Sequence, residues 1–174
     1  MRRFLDTIYK VSGGLAAALI LAICLLISAQ ILLNLASRMM GPAWSYTIPS
    51  YADFAGFMLA GASFLALAYT LRMGGHVRVS LVTQRLPRRA ALAAEVLSLT
   101  LATGLAGFAG FYLVSLVQES RHYGDTSAGI VPIPLWIPQS AVALGMGLLV
   151  IALLDTLVQT LRAGAPTLPN SAEE

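Results

Sequence analysis

Four long apolar runs constrain this chain more than any other feature of its sequence. They cover about residues 11–35, 51–71, 90–117 and 135–157. A helix needs about 20 consecutive apolar residues to cross the hydrocarbon core of a bilayer, and each run reaches that length. Hydrophobic residues make up 57% of the chain and charged residues 11%, which is about half the charged fraction of a soluble domain. The sequence therefore predicts an all-α integral membrane protein with four transmembrane helices.

Basic residues are distributed unevenly between the two sets of connections. Only Arg38 and Arg121 lie after the first and third runs, on one predicted side. The other nine lie before the first run, between the second and third, or after the fourth: Arg2, Arg3, Lys10, Arg72, Arg78, Arg85, Arg88, Arg89 and Arg162. Because cytoplasmic connections carry the excess of Lys and Arg, both termini are predicted to be cytoplasmic.

The chain is predicted to form one membrane domain over residues 1–163, followed by a tail. The first run exceeds the roughly 7–15 apolar residues of a signal peptide, so its helix is expected to be retained. Residues 164–174 are polar and contain proline, which predicts a disordered cytoplasmic tail. The third helix should run for about 48 Å from Pro87, against a hydrocarbon core near 30 Å, so it must tilt, kink or protrude.

Local signals predict how the helices begin and pack. Ser50 and Asp53 have the spacing of a capping box at the start of the second helix, and Gly74-Gly75 should end that helix. Small residues that recur every four positions let helix backbones approach closely. They form three pairs: Gly13 with Ala17, Gly56 with Ala60, and Ala106 with Gly110.

Ionisable residues lie near the ends of the predicted helices. A residue that binds a coupling ion or proton is expected deep in a span, whereas Asp53, Glu95 and Asp155 are each close to one end of a run. They are interpreted as interfacial residues, Asp155 opposite Arg162, with ion or proton binding as the alternative. The few deep polar residues favour a packing module over a conduit.

The connection between the second and third runs is the most distinctive part of the sequence. Five arginines fall within residues 72–89, and Val77, Val79 and Leu81 alternate there with polar residues. This pattern predicts an extended or amphipathic segment at the membrane interface. Its arginines would attract lipid phosphates, each by about 1 kcal/mol. Docking of a second membrane protein is equally compatible with these residues.

Two short elements occur in this connection. One is Gly75-His76-Val77-Arg78-Val79, and the other is Leu86-Pro87-x-Arg89, which leads into the third run. Together they resemble the small membrane subunit of tripartite ATP-independent periplasmic (TRAP) transporters, the DctQ-type family. That family usually has an acidic residue where this chain has Ser80. Weaker similarities extend the match over about residues 5–160, at Asn34, Arg38, Trp44, Asp53 and Ile133-Pro134-Leu135-Trp136.

The resemblance implies a non-catalytic small permease subunit that scaffolds a large, ion-coupled permease in the bacterial inner membrane. A periplasmic binding protein would deliver the substrate, an organic acid. The coupling ion, generally sodium, would bind in the large subunit, and no cofactor or metal is expected in this chain. The candidate residues for subunit contact or lipid anchoring are Arg38, Trp44, Asp53, His76, Arg78, Arg85, Arg88, Arg89 and Trp136.

Two other function classes stay open on the residues alone. A self-sufficient small oligomeric transporter or channel would be expected to carry a carboxylate in mid-span. A membrane anchor subunit of a redox enzyme would hold haem or quinone, yet His76 and His122 lie on opposite predicted sides of the membrane. Nucleic-acid binding is excluded because no basic stripe lies on a polar surface. The single Cys24 excludes an internal disulfide and a cysteine metal cluster.

Overall fold

The computed structural model describes residues 2–41, 46–74 and 87–163. Four helices occupy most of them: α1 spans Arg2–Met40, α2 Tyr51–Arg72, α3 Arg88–Tyr123 and α4 Trp136–Ala163. Each contains a stretch that is long and apolar enough to cross a membrane. The predicted all-α class with four transmembrane helices is confirmed. The predicted tail over residues 164–174 lies outside the described residues.

All four helices are longer than the apolar runs that predicted them, α2 by one residue and the others by five or more. α1 has 39 residues and α3 has 36, which at 1.5 Å per residue gives helices of about 58 and 54 Å. Both exceed the roughly 30 Å of hydrocarbon in a bilayer, so α1, like α3, must tilt or project past it. Hydropathy marks only the part of a helix that suits lipid, whereas backbone hydrogen bonds continue through the polar residues at its ends.

Glycine and proline lie at the ends of the helices, and Gly74 and Pro87 do so as predicted. Gly74, just after α2, and Gly124, just after α3, have φ angles of 73° and 69°, which suit a residue without Cβ. Pro87 directly precedes α3, and Pro138 lies in the first turn of α4, where the missing amide hydrogen costs no helical hydrogen bond. Gly75, predicted to act with Gly74, lies outside the described residues.

The four helices form an open row in the order α1, α2, α4, α3. Extensive contacts join α1 to α2, α2 to α4, and α4 to α3. Burial agrees with this order, since 28% of the apolar stretch of α2 and 22% of that of α4 is buried, against 11% for α1 and 6% for α3. The middle helices therefore form the core, and the edge helices present most of their apolar surface outward.

Two helices approach each other closely in the middle of the row. A Cβ on Gly145 of α4 would lie 2.6 Å from the Phe64 carbonyl oxygen and 2.7 Å from the Leu65 nitrogen of α2. Backbone therefore contacts backbone at this crossing, which only glycine allows. Gly147, two residues further along α4, has no neighbour within 4 Å of such a Cβ.

Among the predicted small-residue pairs, two take part in packing within the chain. A Cβ on Gly13 of α1 would lie 2.8 Å from Cγ of Tyr69 on α2. One residue earlier, the buried Ser12 donates a hydrogen bond to the Leu65 carbonyl across the same interface, at 2.6 Å. Ala106 is buried, and a Cβ on its partner Gly110 would lie 3.5 Å from Met146 of α4. By contrast, Gly56 is exposed and has no neighbour within 4 Å.

Candidate functional site

Contacts among charged side chains concentrate at one end of the row. This charged end is formed by the start of α1, the end of α2, the start of α3 and the end of α4. The Arg72 guanidinium lies 3.4 Å from Asp6 Oδ1 of α1 and 3.4 Å from Asp155 Oδ2 of α4. Its side chain is 19% exposed, so solvent screens these ion pairs less than fully exposed ones. Arg72 therefore ties three of the four helices together.

Asp155 differs in its partner from the sequence-based interpretation. Arg162, seven residues later, was expected to oppose it, but Asp155 pairs with Arg72 and also accepts a hydrogen bond from Gln159 Nε2 at 2.7 Å. Arg162 is exposed. Seven residues place the two about 10 Å apart along the helix axis, whereas Arg72 on the neighbouring helix is within direct reach.

A half-open cleft of about 200 Å³ lies beside this ion-pair network, between α1 and α2. We call it the α1–α2 cleft. Tyr9, one of its lining residues, is only 2% exposed, and its hydroxyl has no hydrogen-bond partner among the described residues. Such unpaired buried groups are uncommon in proteins. The residues that line the cleft are Asp6, Tyr9, Lys10, Tyr69, Arg72 and Met73.

At the opposite, loop end of the row, side chains tie the two connections to the helices. The Val131 amide, between α3 and α4, donates a hydrogen bond to Ser50 Oγ at the start of α2, at 2.9 Å. The Ile48 amide donates to Oε1 of the buried Gln30 on α1, also at 2.9 Å. Gln30 in turn donates to Asn34 Oδ1 at 2.9 Å. Both described connections at this end are therefore held by side-chain hydrogen bonds.

The predicted capping box at Ser50 and Asp53 is wrong. Ser50 precedes α2 with a φ of 54°, and its side chain forms no capping hydrogen bond. This left-handed conformation leaves the hydroxyl bonded to Val131, 81 residues away, instead of to the free amides of α2. Asp53 is half-buried in the first turn, with its carboxylate beside Gly129. A side chain at Gly129 would collide with the Asp53 carboxylate, which would have to move to make room for it.

The other described candidate residues are spread over both ends of the row. Trp136 begins α4, and the Arg121 guanidinium carbon of α3 lies 5.9 Å from the centre of its ring, within the range of a cation–π contact. Arg38 is exposed in the last turn of α1, also at the loop end. Arg89 is exposed in the first turn of α3 at the charged end. These residues do not converge on a common site.

Several candidate residues fall outside what the structure describes. Trp44, His76, Arg78 and Arg85 lie in the two segments between the described ranges, and Arg88 begins α3 with a side chain that is not described. Their predicted roles at the interface stay predictions. Within residues 2–41, 46–74 and 87–163, no group of three His, Cys, Asp or Glu side chains is placed to hold a metal ion.

Sequence reasoning missed the residues that join the helices. Arg72 was interpreted as a basic residue that sets orientation and attracts lipid phosphates, and Asp6 and Gln30 were not among the candidate residues for subunit contact. A signal for the network was present, because Asp6, Arg72 and Asp155 all lie at the same predicted end of their helices. That signal cannot identify partners, since the two pairs join residues 66 and 83 positions apart, and only helix order brings them together.

Comparison with known families agrees with the sequence motifs. The model of the family described as "Tripartite ATP-independent periplasmic transporters, DctQ component" matches residues 27–163 of the 174 residues. The chain belongs to the DctQ family. This confirms the resemblance drawn from residues 75–89 and makes the protein a small component of a TRAP transporter. With its four membrane-spanning helices, this DctQ protein is a multi-pass membrane protein. Comparison with curated proteins gives no match.

Proposed function

We propose that this DctQ protein is a non-catalytic scaffold for the large, ion-coupled permease of its transporter. On this proposal the complex lies in the bacterial inner membrane and takes up organic acids that a periplasmic binding protein delivers. The coupling ion, sodium, binds in the large subunit. The charged end of the row faces the cytoplasm, in keeping with its excess of basic residues, and the loop end faces the binding protein.

The observation that carries this proposal is the open row of helices. In a closed bundle every helix has two helix neighbours, but this row leaves its edge helices with one each and with large exposed side chains, among them Leu25 and Leu32 on α1 and Leu105 and Phe108 on α3. Such surface can pack against a partner's helices as well as against lipid. A second membrane subunit can therefore extend the row at an edge or cover its face.

The position of the acidic residues supports a role without ion transport. All eight belong to helix ends, connections or the tail: Asp6, Asp53, Glu95, Glu119, Asp125, Asp155, Glu173 and Glu174. Glu95 is seven residues inside α3, which is about 10 Å from its start in a helix about 54 Å long. A transporter that moves ions by itself usually places an ionisable side chain near mid-membrane. The scaffold needs none.

Reconstitution tests the proposal directly. Liposomes would receive this chain alone, the large permease alone, or both, each with the binding protein, a sodium gradient and a labelled organic acid. We expect uptake only where the large permease is present, and greater uptake or stability when both subunits are present. Substrate uptake by this chain alone would contradict the proposal. A large permease that is equally stable and active without this chain would contradict it as well.

A further inference from the structure

The α1–α2 cleft combines hydrogen-bond donors with one accessible carboxylate. Lys10 is exposed and forms no ion pair within the described residues. Tyr69 is half-buried, and the hydroxyl of Tyr9 has no partner among those residues. Asp6 is held by Arg72, yet its side chain is still 44% exposed and can accept further hydrogen bonds. The cleft can thus bind an anionic oxygen and a cationic donor together.

The order of these charges along α1 matches the order of groups in a phospholipid. Asp6 is near the end of the helix, and Lys10 follows four residues later on the same face, about 6 Å nearer the middle of α1. In an aminophospholipid the ammonium group is outermost, the phosphate lies deeper, and the acyl chains lie deepest. An ammonium group at Asp6 therefore places the phosphate at Lys10 and directs the acyl chains along the apolar surfaces of α1 and α2.

The charge balance of the cleft favours a zwitterionic headgroup. Among the described side chains of the cleft and its ion-pair network, Asp6 and Asp155 carry two negative charges, and Arg72 and Lys10 carry two positive charges. A headgroup with only a negative charge would unbalance this set and would offer the Asp6 carboxylate no cationic partner. A zwitterion keeps the balance. Its phosphate gives Lys10 an opposite charge, and its ammonium group gives a second cationic partner to Asp6, which shares Arg72 with Asp155. A primary ammonium can also donate hydrogen bonds to Asp6, which a trimethylammonium cannot.

We propose that the α1–α2 cleft is a binding site for the headgroup of a zwitterionic phospholipid with a primary amine, that is, phosphatidylethanolamine. The ammonium binds Asp6, and the phosphate binds Lys10 beside the two tyrosines that line the cleft. Arg72 positions Asp6 from the other side. The site belongs to this chain alone and does not depend on the scaffold role proposed above.

Native mass spectrometry of the full-length chain in mild detergent tests this site. Phosphatidylethanolamine, phosphatidylcholine and phosphatidylglycerol with the same acyl chains would be titrated separately into the wild type, Lys10→Gln and a matched control, Arg162→Gln. Arg162 is exposed at the same end of the row but does not line the cleft. We expect phosphatidylethanolamine to bind tightest and Lys10→Gln to weaken it about fivefold. Arg162→Gln should leave the affinity unchanged.

Each alternative result would overturn the assignment. Equal affinity for the three lipids would show no headgroup recognition, and equal losses in the two variants would indicate a general effect of charge. An unchanged affinity in Lys10→Gln would remove the phosphate contact. Displacement of the lipid by an equal concentration of soluble glycerophosphoethanolamine would point to a soluble phosphate ester instead. Thermal unfolding of Lys10→Gln, expected to match the wild type because Lys10 is exposed, excludes a folding defect as the cause.

Discussion

The crossing of α2 and α4 at Gly145 gives the sharpest prediction of stability. In Gly145→Ala, the new methyl carbon would lie 2.6 Å from the Phe64 carbonyl oxygen and 2.7 Å from the Leu65 nitrogen. Both atoms belong to the backbone of α2, so no side-chain rotation relieves the contact and the helices must move apart by a few tenths of an ångström or more. Overpacking of this kind costs about 1–3 kcal/mol.

Gly147→Ala is the matched control for this substitution. It lies on the same helix, and its methyl group would meet no atom within 4 Å. Both variants gain the same helix propensity, up to about 1 kcal/mol, so the difference between them isolates the steric cost. We expect Gly145→Ala to have a free energy of unfolding lower than that of Gly147→Ala by about 1–3 kcal/mol.

Reversible unfolding in mixed micelles with increasing mole fraction of dodecyl sulfate, followed by circular dichroism, measures this difference. Equal midpoints for the two variants would refute the close contact between α2 and α4 as the structure has it. A lower midpoint for Gly147→Ala would mean that a different face of α4 meets α2. If Gly145→Ala alone also loses co-purification with the large permease, the middle of the row is needed for assembly as well as for folding.

Two further substitutions test the ties at the ends of the row. Arg72→Gln should lower the free energy of unfolding by about 1–3 kcal/mol, because the half-buried Asp155 loses its counter-charge. Its control is Arg162→Gln, at an exposed residue, which should stay within about 0.5 kcal/mol of the wild type. Equal effects of the two substitutions would argue against the ion-pair network. Ser50→Ala should cost about 1 kcal/mol and speed amide hydrogen exchange at Val131, whose amide donates to the Ser50 hydroxyl. Ser63 is the control, because its hydroxyl bonds within its own helix, and Ser63→Ala should change neither the free energy of unfolding nor the exchange at Val131. Unchanged exchange at Val131 in Ser50→Ala would contradict the hydrogen bond between Ser50 and Val131.

The number and type of the helices could be predicted because lipid imposes a length on apolar sequence. The run over residues 51–71 differs from α2 by one residue. The apolar run and the helix end at nearly the same places, because polar residues precede Tyr51 and Gly74 follows the last turn. α1 was predicted from residue 11, yet it begins at Arg2. Asp6, Thr7 and Lys10 lower the hydropathy there without interrupting the helix, because polar side chains at a helix end can remain in the headgroup region.

The candidate site was harder to predict than the fold. The arginine-rich connection identified the family, because a short sequence motif can be recognised without knowing which residues surround it in the fold. The same reasoning gave Ser50 a local role at the start of α2, where residue spacing alone suggests a capping box. Its bond is with Val131 instead, and no local pattern indicates a partner 81 residues away.

The sequence by itself therefore determined that the chain crosses a membrane four times, which end of the row carries the basic residues, and which family it belongs to. Each of these follows from properties that neighbouring residues share, such as hydropathy, charge and motif. Only the tertiary structure decided that the helices form an open row with α2 and α4 in the middle, that Arg72 joins α1 to α4, and that Gly145 permits the close crossing of α2 and α4. Those outcomes depend on which helix faces lie against each other, and helices that are apolar on nearly every side do not encode that choice in their hydropathy.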